Sequence, residues 1–441
     1  MGYVLRKHKE LLKTKLVINS TKWNLINGVI TLVRGVMVNI LLARYLGVSG
    51  YGEYSFLVSL VTILVSNSHL GIDNIAIKDL ACVEDKDRAT YISTSKFVVV
   101  LGTCFSILIL FLFKVLIGGI KHLYVVLMCC LLIVQYMDIY RWNLIASYKT
   151  NMMTIFKSII NVVSVLILVI GITAKLKFSF FFLLYIITEQ LLLLSPRLIT
   201  AHSLEDGKAI TNVDYKLAKR LFRVSLPLWI GAISVSVYLR IDQVMISEIL
   251  TNRDLGIYAV AVRISEMWFF VPTILCTSFL PYFSEKYNED EDAFWSKYET
   301  FVYILISMAY LFAIAISLFG GVIIKILYGY EYIEALGIIR IYSWGGIFVC
   351  MGVARSIYLT VKEYTVYACA FSVVAACTNC IMNYLLIPKM GILGATIATL
   401  VAYAIQAYAM NFFSKKLSKI QILSTKGIMA PVFLVKQLWR K

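Results

Sequence analysis

The chain has 441 residues, of which 60% are hydrophobic and 15% are charged, and its mean hydropathy is +0.82. Ordinary soluble domains have about 25% charged residues, so this composition excludes a soluble globular protein and predicts a polytopic membrane protein. The net charge of +17 does not require a nucleic-acid partner, because Lys and Arg collect on the cytoplasmic side of membrane proteins.

Apolar runs that are long enough to cross a membrane follow one another along the chain. A spanning helix needs about 20 mostly apolar residues. Twelve runs fit, at roughly 22–44, 51–70, 91–113, 121–145, 152–172, 178–195, 221–248, 255–280, 300–321, 335–359, 365–387 and 391–413. We expect residues 1–21 to be a basic cytoplasmic N-terminus with no cleavable signal. We expect residues 414–441 to be a basic amphipathic tail that touches anionic lipid on the inner surface.

The distribution of basic residues predicts the orientation. With the N-terminus inside, most of the 42 Lys and Arg residues fall in inner segments, which predicts a protein of the cytoplasmic membrane with both termini cytoplasmic. The longest inner loop, 196–220, lies midway along the chain. We therefore expect an N-terminal lobe of spans 1–6 (22–195), this loop as a linker, and a C-terminal lobe of spans 7–12 (221–413).

A weak internal repeat indicates that the two lobes are equivalent. The same three residue types lie between spans 1 and 2 and between spans 7 and 8, at a constant offset of 204 positions: Leu46, Gly52 and Tyr54, then Leu250, Gly256 and Tyr258. Six spans per lobe give both lobes the same orientation, and parallel repeats of this kind enclose a site near the midplane and move by rocking. The predicted fold is all-α, with twelve spans in two pseudo-repeated six-helix lobes around a central cavity.

Nothing in the sequence indicates a cofactor, a metal or a catalytic centre. Nearly all of the nine cysteines lie in apolar runs, where Cys packs as a small hydrophobe, and the four histidines are scattered. Cys377 and Cys380 have the spacing of a redox motif but lie mid-helix without a neighbouring histidine. There is no Gly-x-x-x-x-Gly-Lys-[Ser/Thr] phosphate loop, so we expect no ATP hydrolysis.

Several short motifs resemble one family. They are Ala43-Arg-Tyr-Leu-Gly47 with Tyr51-Gly-Glu-Tyr54, Asp242-Gln-Val-Met-Ile246 with Leu255-Gly-Ile-Tyr258-Ala-Val-Ala261, Ile326-Leu-Tyr-Gly329-Tyr-Glu-Tyr332, and Asn383-Tyr-Leu-Leu-Ile-Pro388-Lys-Met-Gly391-Ile-Leu-Gly394-Ala395. Together they resemble the polysaccharide-transport branch of the MOP superfamily, the Wzx-type O-antigen flippases. The resemblance implies a two-lobe bundle that moves an undecaprenyl-diphosphate-linked oligosaccharide from the inner to the outer leaflet by alternating access. It also implies glycosyltransferases and a polysaccharide polymerase as pathway partners.

Charged side chains inside the spans are the candidate site residues, because a charge at the bilayer centre normally faces the bundle interior. Arg34 lies near the middle of span 1 with no acidic residue within two turns, which indicates water, a remote carboxylate or an anionic substrate. Arg240 lies at a similar depth in span 7. The guanidinium fork suits a diphosphate, so we predict that Arg34, Arg240 and Arg263 bind the substrate.

The acidic residues have two interpretations, ion coupling and structural pairing. Arg263 and Glu266 are three apart on span 8 and can pair with each other, within a network that includes Arg240 and Asp242. Asp242 points away from Arg240, since residues two apart lie on nearly opposite sides of a helix. Glu189 lies deep in span 6 with no cation nearby in the sequence, so a proton-carrying role and a role in helix packing both stay open.

Two other functions compete with a flippase. A cation-coupled drug or small-molecule exporter of the same superfamily predicts acidic residues in the cavity of the N-terminal lobe, whereas span 1 carries Arg34 and no carboxylate. A membrane glycan polymerase or ligase predicts a large outer loop with arginines or histidines, whereas every predicted outer loop is short. We therefore expect a transporter and not an enzyme.

Overall fold

The computed structural model describes residues 2–117, 119–147, 150–200 and 213–429, and the regular structure in these ranges is entirely helical. The side chains of residues 1–21, residues 201–212 of the predicted linker and residues 430–441 of the predicted tail lie outside the described part. The α-helices are α1 (Gly2–Ser68), α2 (Asp73–Leu80), α3 (Asp85–Ile117), α4 (His122–Ile133), α5 (Ile139–Ala146), α6 (Thr150–Thr173), α7 (Phe178–Thr200), α8 (Tyr215–Ile249), α9 (Asn252–Glu266), α10 (Phe270–Glu289), α11 (Glu291–Leu327), α12 (Ala335–Tyr342), α13 (Gly345–Val361), α14 (Thr365–Met390), α15 (Ile392–Ala407) and α16 (Ser418–Gly427). Short 3₁₀ turns lie at Val134–Asp138, Tyr330–Tyr332, Ala409–Phe413 and Lys415–Leu417.

Eleven helical stretches among the described residues are long and apolar enough to cross a membrane. The first, Leu25–Ser68, has 44 residues, about twice the length that one crossing needs. Gly47 has φ 68° and ψ 178° inside it, so α1 breaks there and supplies two spans. The predicted all-helical polytopic fold is therefore confirmed, and the chain is a multi-pass membrane protein.

The chain divides into two compact units. Unit 1 comprises Met1–Leu41 and Val61–Ala232, and unit 2 comprises Leu42–Leu60 and Ile233–Lys441. The core of unit 1 surrounds Trp142 of α5, and the core of unit 2 is an aromatic cluster contributed largely by α10 and α11. The predicted division into two six-helix lobes at the linker stays a prediction.

Within unit 2, the break in α1 packs directly against the junction of α8 and α9. A Cβ on Gly52 would lie 1.8 Å from the carbonyl oxygen of Asn252, and a Cβ on Gly256 would lie 2.0 Å from that of Val48. Only glycine fits at such backbone approaches. Gly52 and Gly256 are related by the offset of 204 positions, and so are Val48 and Asn252. The predicted repeat thus forms a reciprocal contact, which we call the glycine contact.

Residues of the quoted motifs brace this contact. Arg44 Nε donates to the carbonyl oxygen of Leu327 at 2.8 Å, and the Tyr332 hydroxyl donates to that of Ala43 at 2.9 Å. The Tyr51 ring packs edge-on against Tyr332, with ring centroids 6.4 Å apart. The motifs around residues 43–54 and 326–332 are therefore joined in space although they lie far apart in the chain.

Part of the predicted tail packs against protein. Leu417, Ile420 and Leu423 are buried in the core of unit 2, and the Tyr310 hydroxyl of α11 donates to the carbonyl oxygen of Ile428 at 2.8 Å. These apolar residues therefore face protein, and the contact of the tail with anionic lipid stays a prediction. Amphipathic periodicity identifies an apolar side but not the surface that covers it.

We predict that Gly256→Ala lowers the thermal stability of the purified protein by several degrees, because the new methyl group meets the backbone of Val48 and such overpacking costs about 1–3 kcal/mol. Gly337→Ala in α12 is the matched control, since a Cβ there has no atom within 4 Å. Thermal unfolding in detergent measures both variants. Equal midpoints for the two would show that the glycine contact is not tight.

We also predict that Leu423→Ala lowers the unfolding midpoint more than Ile422→Ala does. Leu423 is 6% exposed and Ile422 is 54% exposed, so only the first truncation leaves a cavity, at a cost of about 2–5 kcal/mol. The same unfolding assay compares them. If the exposed neighbour were equally sensitive, α16 would not be packed on unit 2 in this register.

Candidate functional site

Three helices of unit 1 bring a cation, a carboxylate and an amide together. Arg34 lies in α1, Asn161 in α6 and Glu189 in α7. Arg34 Nη2 is 2.7 Å from Glu189 Oε1, and Arg34 Nη1 donates to Asn161 Oδ1 at 3.0 Å. The side chains of Arg34 and Glu189 are 14% and 32% exposed, so the pair is largely covered but not sealed.

The expectation that Glu189 has no cation nearby holds along the sequence and is wrong in space. Its partner Arg34 is 155 residues away in the chain. A remote carboxylate was one of the three partners that the sequence allowed for Arg34. A carboxylate and a guanidinium that are buried together in a membrane lower each other's cost by pairing. The roles of the two residues in transport stay predictions.

Asn161 was not singled out from the sequence. It is 2% exposed, and its Nδ2 has no hydrogen-bond partner among the described residues. Its Oδ1 must face Arg34, because the opposite amide orientation would place two donors against each other. An asparagine within an apolar span could have indicated this position, because a polar side chain there normally faces the interior of the bundle.

Glu266 is the centre of a second group, in unit 2. Arg240 Nη1 of α8 lies 3.4 Å from Glu266 Oε2, and the hydroxyls of Tyr342 and Tyr403 donate to Oε1 at 3.0 Å and 3.3 Å. The side chains of Arg240 and Glu266 are 16% and 13% exposed. This carboxylate is therefore held by three donors from three helices.

Spacing along α9 allowed Arg263 to pair with Glu266, but among the described residues the ion pair of Glu266 is with Arg240. Arg263 instead hydrogen-bonds the hydroxyl of Tyr51, in the segment next to the break in α1. Spacing of three on a helix permits a pair but does not exclude a better partner on a neighbouring helix. Arg263 is thus attached to the glycine contact, while Arg240 carries the charge opposite Glu266.

Asp242 lies apart from this group, as its spacing from Arg240 indicated. It is 1% exposed and accepts hydrogen bonds from the Tyr258 hydroxyl, the Gln243 backbone and Thr399 Oγ1, the last at 3.4 Å. Its neighbour Gln243 accepts from Ser59 Oγ at 2.8 Å. Both polar residues of the Asp242-Gln-Val-Met motif are therefore anchored inside unit 2.

The side chains near Asp242 include the types of oxygen that bind small hard cations, and we interpret them as a candidate cation site. Asn383 Nδ2 donates to Asn379 Oδ1 at 3.0 Å, and Asn379 Nδ2 reaches Thr399 Oγ1 at 3.4 Å. Both asparagines are fully buried, and Asn383 Oδ1 has no partner among the described residues. Carboxylate, hydroxyl and amide oxygens are the ligands that such cations prefer. The Asn379-x-x-x-Asn383 spacing, which places both amides on one helix face, was a signal that the sequence analysis missed.

A cluster in unit 1 has the residue types of a metal site but already contains a cation. His69, Asp73 and Asp138 place ligand atoms within 4.8 Å of one another. Arg141 makes two hydrogen bonds to the carboxylate of Asp138, and its Nη2 lies 3.7 Å from Asp73. The guanidinium supplies the positive charge that a metal would bring, so we interpret the cluster as an ion-pair network.

We predict that Na⁺ stabilises the purified protein relative to choline at equal ionic strength, and that Asp242→Asn or Asn383→Ala removes this stabilisation. A ligand that binds only the folded state raises the unfolding midpoint by mass action. Asp292→Asn, an exposed carboxylate at the start of α11, is the control and should keep the response. A Na⁺ response that survives both site variants would place the cation elsewhere.

Comparison of the sequence with known families gives a match over residues 17–286 to the family described as polysaccharide biosynthesis protein. An uncharacterized membrane protein of Methanocaldococcus jannaschii is 33% identical over 158 residues, which are 32% of this chain and 29% of that protein. The capsular polysaccharide biosynthesis protein CapF of Staphylococcus aureus is 24% identical over 205 residues, which are 45% of this chain and 50% of that protein. The matches thus span at most half the length of these curated relatives.

Solved structures with the same fold include two transport proteins. The lipid II flippase MurJ in an inward closed conformation gives a TM-score of 0.64 at 15% identity, over 93% of both chains. A multidrug resistance MATE family transporter of the MOP superfamily in an inward-facing conformation gives 0.63 at 11% identity, over 92% of this chain and 96% of that one. At these identities the likeness shows a shared fold.

Proposed function

The chain belongs to the polysaccharide biosynthesis protein family, and from this premise we propose that it is a flippase for a lipid-linked oligosaccharide. The substrate we propose is an undecaprenyl-diphosphate-linked repeat unit of O-antigen or a similar surface polysaccharide. The proposed direction is from the inner to the outer leaflet of the cytoplasmic membrane, with both termini cytoplasmic. The MOP-type fold and the relation to a capsular polysaccharide protein support this proposal.

The observation that carries the proposal is a partly covered arginine at depth in each unit. Arg34 uses Nη1 and Nη2 for one hydrogen bond each, and a guanidinium has five N–H donors, so donors remain for an anion. Arg240 meets Glu266 at 3.4 Å, which is a loose contact for a charged pair. Planar guanidinium groups bind phosphate oxygens in pairs and keep their charge at any relevant pH. We propose that Arg34 and Arg240 bind the diphosphate and that Arg263 assists.

A flippase of this kind needs no chemical step. The glycan passes through a polar route while the polyprenyl tail stays in lipid, and a diphosphate that leaves a negative-inside cell gains about 2.3 kcal/mol per charge per 100 mV. We propose that Asp242 and its neighbouring amide oxygens bind a coupling cation. The proposed pathway partners are glycosyltransferases that supply the lipid-linked glycan and a polymerase that consumes it.

The cation-coupled exporter is the second candidate, because a MATE family transporter shares the fold. An exporter of cationic drugs needs a free carboxylate for its cargo. In unit 1 the carboxylate of Glu189 is already paired with Arg34 at 2.7 Å, which favours an anionic substrate. Drug accumulation in cells that express the protein separates the two candidates, since the flippase proposal expects no change.

We predict that Arg34→Ala and Arg240→Ala each reduce surface glycan at least tenfold at matched membrane levels, because each removes a charged phosphate contact, worth about 1.5–3 kcal/mol. Arg340→Ala is the control, since this arginine is exposed and, among the described residues, donates to the Ser317 backbone alone. Lys variants at positions 34 and 240 test whether charge alone suffices. Full glycan export by both Ala variants would refute the anion site.

A further inference from the structure

The Arg34 guanidinium is held by a carboxylate that an anionic ligand must replace or repel. Glu189 Oε1 lies 2.7 Å from Arg34 Nη2, and Asn161 Oδ1 lies 3.0 Å from Nη1. A phosphate that approaches the same guanidinium comes within a few ångströms of the Glu189 carboxylate. Two negative charges at that separation repel strongly where water is limited. The site therefore contains a competitor for its own ligand.

Glu189 is the member of the group that can leave. Its side chain is 32% exposed, whereas the Arg34 side chain is 14% exposed and Asn161 is 2% exposed. The least covered of the three side chains can change position while Arg34 and Asn161 stay in the packed interior. The exchange therefore moves one side chain and leaves the other two in place.

The structure provides a second cation for the displaced carboxylate. Lys157 lies one turn before Asn161 on α6 and interacts electrostatically with Glu189. Its ammonium forms no hydrogen bond or ion pair with the described residues, and its other electrostatic neighbours, Asp138 and Arg141, are already bonded to each other. Lys157 therefore lies on the same face of α6 as Asn161, which accepts from Arg34, and it is a cation without a bonded carboxylate among the described residues.

Asn161 provides an independent sign of a missing acceptor. Its Nδ2 is buried and has no partner among the described residues, although a buried donor without an acceptor is costly. An anionic oxygen beside Arg34 is the kind of acceptor that would satisfy this group. The amide thus adds a neutral donor to the positive charge of Arg34.

Resting on the proposed function, we propose that Glu189 is a displaceable counter-anion of the substrate site. Without substrate it occupies Arg34. When the diphosphate binds Arg34, Glu189 moves to Lys157, and its return to Arg34 expels the substrate. Glu189 is then a positioning and release residue, and it limits how tightly the site holds its anion. No covalent bond is made or broken in this exchange.

Binding of inorganic pyrophosphate to the purified full-length protein tests the proposal by calorimetry. Glu189→Gln should bind pyrophosphate between about threefold and thirtyfold more tightly than the unmodified protein, because one nearby negative charge is removed. Glu331→Gln, an exposed glutamate outside the spans, is the control for the loss of one charge and should change nothing. Unchanged or weaker binding by Glu189→Gln would overturn the proposal.

The transfer to Lys157 has its own test. Lys157→Gln should weaken pyrophosphate binding, because the displaced carboxylate loses its second partner. In the Glu189→Gln background, Lys157→Gln should have little further effect, because position 189 no longer carries a carboxylate that Lys157 could bind. An equal loss in both backgrounds would show that Lys157 attracts the anion directly, and the transfer would be wrong. Because the two single variants change affinity in opposite directions, general loss of folding cannot imitate the result.

Two further measurements separate this inference from the proposed function. If Arg34→Gln binds pyrophosphate as well as the unmodified protein, the anion site of the proposed function fails, and the counter-anion fails with it. If Arg34→Gln abolishes binding and Glu189→Gln leaves it unchanged, only the counter-anion is wrong. In a flippase assay in vesicles, Glu189→Gln should slow turnover at saturating substrate because release is slower. Turnover equal to that of the unmodified protein, despite tighter binding, would contradict the release role.

Discussion

The glycine contact fixes how closely the backbone around Gly52 approaches the backbone around Gly256 within unit 2. Each of two carbonyl oxygens, on Val48 and Asn252, occupies the volume that a side chain would need on the opposite glycine. The constraint extends along α9, because Tyr258, two residues after Gly256, holds Asp242 through its hydroxyl. Asp242 in turn accepts from Thr399, so hydrogen bonds connect α9, which begins at the glycine contact, to the candidate cation site.

The two halves of the repeat make the same break by different means. In the first half, Gly47 adopts a positive φ of 68°. In the second half, the corresponding residue is Thr251, which caps α9 in a capping box with Asp254. Both solutions interrupt a helix that would otherwise continue, the first through backbone freedom and the second through side-chain hydrogen bonds. A repeat can therefore keep its geometry while it loses sequence identity.

The family motifs around residues 43–54 and 326–332 and the pair of Arg34 with Glu189 have different roles. Arg44, Tyr51 and Tyr332 belong to the motifs and serve the packing around the glycine contact. Arg34 and Glu189 belong to no motif. Packing at the glycine contact does not depend on which substrate is bound. The proposed role of the charges deep in the spans is to contact the substrate itself. On the proposed function, proteins that share these motifs could differ in their substrates while they keep the same fold.

The sequence could predict the spans, because length and hydrophobicity fix a membrane helix almost without reference to its neighbours. It could also predict which charges lie in the interior, since lipid excludes them. It could not predict their partners. The ion pair between Arg34 and Glu189 joins two helices whose facing sides are set by tertiary packing. Glu266 pairs with Arg240 and not with Arg263 for the same reason. The hydrophobic periodicity of a helix indicates which of its faces is buried, but it does not indicate which helix packs against that face.

Helix α16 also bears on the order in which the protein is made. Leu417, Ile420 and Leu423 close one side of the core around α11 and α13, yet they are translated after every span. Unit 2 can therefore complete this side of its core only after α16 has been synthesised, so a chain truncated before residue 417 would leave the facing side chains of α11 and α13 uncovered.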